Sequence, residues 1–474
     1  MVVTTKTKED VATTLARSIV ATKYESLSPE VVAAVKGQIQ DAIGLTMVGS
    51  VADGCPELAA FALDAGGKRE STVMVHGRKL PMAAAAMVNS AFAHAWDYDD
   101  TDDRTGNHLG AISVPSALAA AEARGGVSGK ELIAAVCVGS DLGARILLAT
   151  KEVLGKGPTT AATAPFVAAA AVGKVLGLDD FQMAHAIGLA FAQVAFGANA
   201  LRGPSLTKRL KAGLGCRGGV EAAQLSRRGL TASLPDTFEG GHGFYQYFFG
   251  HDGDLDLLRA GLGTDFQVTK LSIKPYPCCR VNHGAVDCAL SLVKDHHIQA
   301  ADVEAVKVWL TPRGYGNLAG SGEPERVQQK RHPVGAIDSQ FSIFWTVSTA
   351  ILKGKVAVES FTDAALKDPE MNRLTDKVTC FPHEALALGA RAITPARVEI
   401  RTKDGHAYSR ELEFAWGHPS RPFGQDDLDR KFRENAAYAA RPIPQKRVED
   451  ALAQLHHLEE VADVSVFARL LSAR

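Results

Sequence analysis

From about residue 8 to 265, apolar residues recur at three- and four-residue steps, the period of helices that each bury one stripe. "SPEVVAAVKGQIQDAIGLTMVG" opens with Ser28 as an N-cap, Pro29 at the first helical position and Glu30 in the first turn. "MAAAAMVNSAFAHAW", "SVPSALAAAEARG", "SGKELIAAVCVGSDLGARILLA", "APFVAAAAVGKVLGL" and "DDFQMAHAIGLAFAQVAFG" read the same way, with glycine or proline at most junctions. The period changes near residue 268. "VEAVKVWLTP" (303–312) alternates like a strand, and "ARVEIRTKDGHAYSRELEF" (396–414) reads as a hairpin turning at Lys403-Asp404-Gly405. The end of the chain returns to helical spacing. The expected fold is mainly α with an inserted α+β domain: a helical domain over 1–268, an α+β lid over 269–414, and a C-terminal segment over 415–474 that rejoins the helices. A cleft between two such domains is where a small-molecule site is expected.

Composition narrows the class. Hydrophobic residues are 46% and charged residues 22% of the 474, and the formal net charge is −1. A near-neutral chain without a strongly basic stretch argues against nucleic acid and anionic membrane surfaces as partners. The apolar runs are too short and alanine-rich to span a bilayer. The first residues lack a continuous apolar core and carry Glu9 and Asp10, so neither a secretory nor a transit peptide is expected and a cytoplasmic location is. Seven scattered cysteines, with no CxxC pair, read as reduced thiols.

Three stretches carry candidate chemistry. "AFAHAWDYDDTDDRTGNHLGA" places five aspartates within seven positions, between two histidines. A calcium loop counted from Asp97 would need glycine where Asp102 stands and glutamate where His108 stands, so that reading fails. Asp100, Asp102 and Asp103 are expected to be solvated. Asp97, Thr101 and His108 are expected at the buried end of the loop, Asp97 with a cationic or hydrogen-bonding partner. The second stretch, "LRGPSLTKRLKAGLGCRGGVEAAQLSRRG", gathers Arg202, Lys208, Arg209, Lys211 and Arg217 at the entry to a small-residue helix, suited to an anion or to a solvated basic face. The third, "LSIKPYPCCRVNHGAVDCALSLV", fixes Lys274, Tyr276 and Arg280 in an extended segment before a helix beginning near His283.

Taken in order, "AHAWDYDDT", "RGGVEAAQLSRRGL", "EGGHGFYQYF", "KPYPCCRVNHGAVDCAL", "SQFSIFW" and "GHPSRPFGQDDLDRKFRENA" resemble the MmgE/PrpD family, which includes 2-methylcitrate dehydratase, cis-aconitate decarboxylase and iminodisuccinate epimerase. The resemblance runs from about residue 10 to 440. It implies a metal-free, cofactor-independent enzyme with an all-helical domain, a smaller α+β lid, a homodimer, and a small di- or tricarboxylate as substrate. It also implies catalytic roles for Asp97, Thr101, His108, Lys274 and Tyr315, with Arg217 and Lys211 as the basic residues of the helix start.

These implications fit the residue chemistry. Lys211, Arg217, Arg280 and His283 are expected to hold substrate carboxylates, because Lys and Arg supply counter-charge and Arg does so bidentately. Such cations also stabilise the enolate-like charge formed when a proton leaves the carbon α to a carboxylate. His108, oriented by Asp97, suits the base, and Lys274, Tyr315 or His283 the acid. Two departures from the family pattern stand out. No histidine occupies the "H-P-T" position near Pro158, and "HLGA" replaces the usual His-Pro after the acidic loop. The absent histidine counts against citrate-type dehydration and decarboxylation and leaves room for epimerisation, isomerisation or elimination from a different substrate. A hydro-lyase is expected first, with an epimerase, isomerase or decarboxylase as the alternative and a non-catalytic carboxylate binder as the third reading.

Overall fold

The computed structural model describes residues 9–150, 160–194, 205–387 and 394–472, so Arg202 and the stretch around Pro158 lie outside the described residues. The chain runs through α1 (Val11–Ala21), α2 (Pro29–Gly49), α3 (Cys55–Ala65), β1 (Ser71–Val73), β2 (Arg78–Leu80), α4 (Met82–His94), α5 (Gly110–Arg124), α6 (Gly129–Leu148), α7 (Thr160–Leu176), α8 (Asp180–Phe191) and α9 (Thr207–Arg227). Then come α10 (His283–His296), β3 (Val303–Leu310), α11 (Pro312–Ala319), α12 (Ile343–Lys353), β4 (Val378–Pro382), β5 (Ala396–Thr402), β6 (Ala407–Leu412), α13 (Gln425–Ala437) and α14 (Gln445–His456), with shorter turns of helix between them.

The starts of these helices follow their caps. The Ser28 hydroxyl accepts from the Val31 N–H, Asp179 accepts from the Gln182 N–H, and Ser128 with Glu131 forms a reciprocal capping box. α4 is apolar nearly all round, and a helix of that kind must be enclosed. It is: α2, α5 and α9 pack around it, burying every residue from Ala85 to His94. The β1–β2 pair is an antiparallel ribbon inside a region whose periodicity reads as helical. Strands of three residues are too short for a two-residue period to register.

Four strands form one mixed sheet in the order β4-β3-β5-β6. β3 pairs parallel with β4 and antiparallel with β5, and the β5–β6 hairpin turns over Lys403 to His406 with Gly405 at φ +89°. The first large apolar cluster gathers α1, α2, α5 to α9 and the C-terminal helices; the second joins Phe92, Trp96 and Tyr98 to the residues of β3, β5, α10 and α12. α4 contributes to both, so the loop that follows it lies where the two cores meet. After β6 the chain returns to the helices: α13 lies along α2, and Val127 and Gly129 exchange backbone hydrogen bonds with Val464 and Val461. Among the described residues, no helix is long and apolar enough to cross a membrane.

Candidate active site

α4 ends at His94, and three residues later Asp97 adopts φ +51°, in the left-handed region that aspartate tolerates better than bulkier residues. This turn drives the loop into the protein. Asp97, Asp99, Asp100, Thr101, Asp102 and Asp103 are all buried. The expectation that Asp100, Asp102 and Asp103 would be solvated is thus corrected. Each has a partner instead: Gln38 and the Gly110 N–H for Asp100, Arg104 for Asp102, Arg280 for Asp103. A carboxylate cluster looks solvated in sequence because its partners come from distant positions.

The strand-like stretch before Lys274 pairs with this loop. Thr101 and Ser272 exchange both backbone hydrogen bonds, at 2.9 and 2.8 Å. Two residues on, the fully buried Lys274 ammonium donates to the Asp97 carboxylate at 3.0 Å and to the Asp97 carbonyl at 2.7 Å. A second ammonium, Lys208, reaches the other Asp97 oxygen at 2.5 Å. It arrives there because α9 lies unusually close to its neighbours: a Cβ on Gly213 would collide with the Met87 carbonyl of α4, and one on Gly219 with the Pro165 carbonyl of α7. Burial opposes ionisation of Asp97, but Lys208 and Lys274 outweigh it and hold the carboxyl well below its usual range. Burial likewise opposes the charge on Lys274, and Asp97 more than offsets it, raising the ammonium's pKa.

Two imidazoles complete the cluster. His94 Nδ1 lies 2.8 Å and His108 Nδ1 3.3 Å from the same Asp99 oxygen. Thr101 Oγ1 is 3.5 Å from His108 Nδ1, and His108 Nε2 is 3.9 Å from Asp97 Oδ1. Burial pushes the His94 pKa down to about 3 and lowers that of His108, although Asp99 pulls the other way in both. An ionised Asp99 accepting from two neutral imidazoles satisfies both tendencies. Asp99, rather than Asp97, therefore orients His108, and it leaves Nε2 with a free lone pair. His94, Asp99 and His108 bring ligand-type atoms within 4.8 Å of one another. The Lys208 ammonium, 3.4 Å from His94 Nε2, already supplies the cation on that side, so the arrangement reads as a hydrogen-bonded relay.

The remaining candidates separate. Lys211 lies one turn beyond Lys208, partly exposed, and burial followed by Lys208 lowers its pKa to about 8. Arg217 is nine residues from Lys208, about 180° round the helix at 3.6 residues per turn. It is exposed and paired with Glu221 on its own helix at 2.8 Å, so the structure does not bring it to Asp97. Arg280 is buried with its guanidinium committed: Asp103 takes Nε and Nη2, and Nη1 donates to the Trp416 carbonyl. His283 is also enclosed, with Nε2 3.2 Å from the Cys278 carbonyl and Nδ1 3.4 Å from Arg280. Neither Arg280 nor His283 has a group left over for a substrate. Tyr315 on α11 is half-buried against the sheet's core, its hydroxyl towards Gly322.

Sequence reasoning named Lys208 only as one of five basic residues at the start of α9, without a partner, and did not single out His94, Asp99 or Arg313. The three-residue spacing of Lys208 and Lys211, which puts both on one side of α9, was the available signal. Arg313 is partly buried near the start of α11, and its Nη1 has no hydrogen-bond partner among the described residues. Burial lowers the Arg313 pKa, and burial followed by Asp97 raises that of the nearby Cys279 thiol.

Two family models match the chain, the MmgE/PrpD N-terminal domain over residues 13–255 and the MmgE/PrpD C-terminal domain over residues 276–457. Among curated relatives, cis-aconitate decarboxylase of Aspergillus terreus is 27% identical over 410 residues, covering 82% of each chain. Cis-aconitate decarboxylase of Homo sapiens is 25% identical over 473 residues, covering 98% of this chain and 95% of its own. The cis-aconitate decarboxylase-like protein oryM of Aspergillus oryzae is 25% identical over 496 residues, covering 100% and 99%.

Proposed function

The chain belongs to the MmgE/PrpD family, and on that premise we propose that it is a cofactor-independent lyase acting on a small di- or tricarboxylate, with carbon dioxide as the leaving group. The observation that carries this reading is the centre built on Asp97: two buried ammonium groups on one carboxylate, with the His108 Nε2 lone pair 3.9 Å from it.

With both imidazoles neutral, Asp97, Asp99, Lys208 and Lys274 sum to zero charge. A polyanionic substrate therefore needs further cations, and Lys211 and Arg313 are the groups with capacity to spare. The substrate's own negative charge then raises the His108 pKa, so binding brings a proton onto Nε2. In the chemical step the carbon–carboxylate bond breaks and its electron pair shifts along the carbon skeleton. The carbon that becomes electron-rich takes the His108 proton. Lys274 and Lys208 stabilise the transient enolate-like charge, an effect worth about 3–4 kcal/mol per well-placed donor.

The same imidazole, working in the opposite sense, abstracts a proton in an elimination of water, the hydro-lyase reading. That reaction needs an acid for the departing hydroxyl. Lys274 is a poor one, because Asp97 raises its pKa. Lys211, at about 8, is the group that favours this second reading. Carbon dioxide needs no such acid, and the relatives named above bear the name of a decarboxylase. The missing histidine near Pro158 keeps simple epimerisation in the panel.

The test is turnover by purified protein in D₂O of cis-aconitate, citrate, 2-methylcitrate, iminodisuccinate and substituted succinates, followed by NMR. Loss of a carboxylate with deuterium gained on carbon is the expected result. Loss of water with no carbon dioxide selects the hydro-lyase, exchange without net change selects the epimerase, and silence with measurable binding removes catalysis altogether.

A further inference from the structure

We propose that Lys431, on the C-terminal helix α13, is a positioning residue that holds the two catalytic segments in register; the claim rests on the proton-transfer reading of the Asp97 centre. Lys431 is buried, and its ammonium has three N–H donors to place. One goes to the Tyr98 carbonyl at 2.9 Å and one to the Lys274 carbonyl at 2.9 Å, while Asp41 Oδ1 of α2 lies 2.6 Å away. The ammonium also sits 3.8 Å from the centre of the Tyr98 ring.

The identity of those two carbonyls is what distinguishes Lys431 from an ordinary buried ion pair. One belongs to the residue after Asp97, just beyond the left-handed turn that aims the carboxylate. The other belongs to Lys274, whose side chain donates back to Asp97. The acidic loop and the Lys274 segment are therefore tied twice, by the Thr101–Ser272 backbone pair on one side and by Lys431 on the other. Without the second tie, two carbonyls 2.9 Å from one nitrogen would repel each other and the Tyr98 and Lys274 peptides would rotate apart. Shifts of about 1 Å at a reacting group lower rates by about 100-fold.

The charged groups facing Lys431 are Asp41 from α2, Asp99 from the acidic loop and Lys274 from the paired segment. Burial lowers the Lys431 pKa and raises that of Asp41, and the attraction between the two groups opposes both shifts. Removing Asp41's charge should release the Lys431 proton at mildly alkaline pH and slacken the tie without deleting the side chain.

Lys431→Met and Asp41→Asn test this in the full chain. Lys431→Met should lower kcat by about 100-fold with KM changed less than about threefold, and should shift the ¹⁵N imidazole titration of His108. Asp41→Asn should give kcat at saturating substrate a new alkaline limb that wild type lacks. A folded Lys431→Met that loses thermal stability but keeps kcat within about threefold, with the His108 titration unmoved, overturns the proposal. If Lys431→Met does not fold, a kcat–pH profile in Asp41→Asn unchanged from wild type overturns it equally. If wild type turns over none of the acids, the lyase reading fails by itself, and the His108 titration in whichever variant folds still decides the role of Lys431.

Discussion

Asp97 and Asp103 stand six residues apart on one loop, both buried and both paired with a cation from the segment that begins near residue 272, yet they have opposite chemical characters. Asp103 meets one guanidinium through several hydrogen bonds, and that guanidinium's remaining donors go to Trp416 and towards His283. Donors and acceptors balance, and the result is a rivet between the acidic loop and the start of α10. Asp97 meets two ammonium groups, one from α9 and one from the Lys274 segment, beside an imidazole whose Nε2 is still free. Asp99 balances the second ammonium, and it does so through two imidazoles that can still exchange protons. The difference teaches that a buried ion pair signals chemistry where a titratable group beside it keeps an unused lone pair.

The sharpest break of this comparison is removal of one cation from each pair. Lys208→Met is expected to lower kcat by about 1,000-fold, the scale of losing a charge aimed at a transition state, with the folded structure retained by circular dichroism. Arg280→Met should act on the other quantity. Breaking a buried pair on one side costs about 3–5 kcal/mol of stability, read from denaturant unfolding, while kcat of the folded fraction stays within about threefold. A large loss of kcat at unchanged stability would move Arg280 into the site. The double variant Arg280→Met with Asp103→Leu should recover much of the stability, because no uncompensated charge remains.

Lys211 gives an intermediate effect with a pH signature. Its ammonium is charged below its pKa of about 8 and neutral above it, so polyanion binding should weaken as pH rises through that value. KM for wild type should climb above about pH 8, and Lys211→Met should have a KM about tenfold higher at pH 7 and no such limb, a loss of about 1.4 kcal/mol of binding. A limb that persists in the variant assigns it to another group. The smallest effect belongs to Arg217→Ala, where an exposed pair within one helix is worth about 0.3–0.5 kcal/mol; unfolding and KM should both be nearly unchanged, and a raised KM would restore Arg217 to the substrate's clamp.

Much of the helical architecture was legible before any coordinates. Ser28-Pro29 and the hairpin at Gly405 are local signals, read from a few adjacent residues whose chemistry admits one backbone path. The prominence of Asp97, His108 and Lys274 was legible too, because an acidic loop after an all-apolar helix and a lysine followed by two closely spaced prolines are local oddities. The partners were not. Arg217 and Lys208 look alike in a string of basic residues, and only the half-turn between them on α9 sends one to Glu221 and the other to Asp97.

The sequence alone determined where helices start, where the texture turns to strands, and which short stretches carry chemistry, because backbone propensity and capping act over a few residues. The tertiary structure decided which carboxylates are dry, which cations they meet and which histidine nitrogen is left free. Those are pairings between segments separated by up to several hundred positions, such as Lys431 with Asp41, and no local pattern encodes the distance between two side chains that the fold alone brings within 2.6 Å.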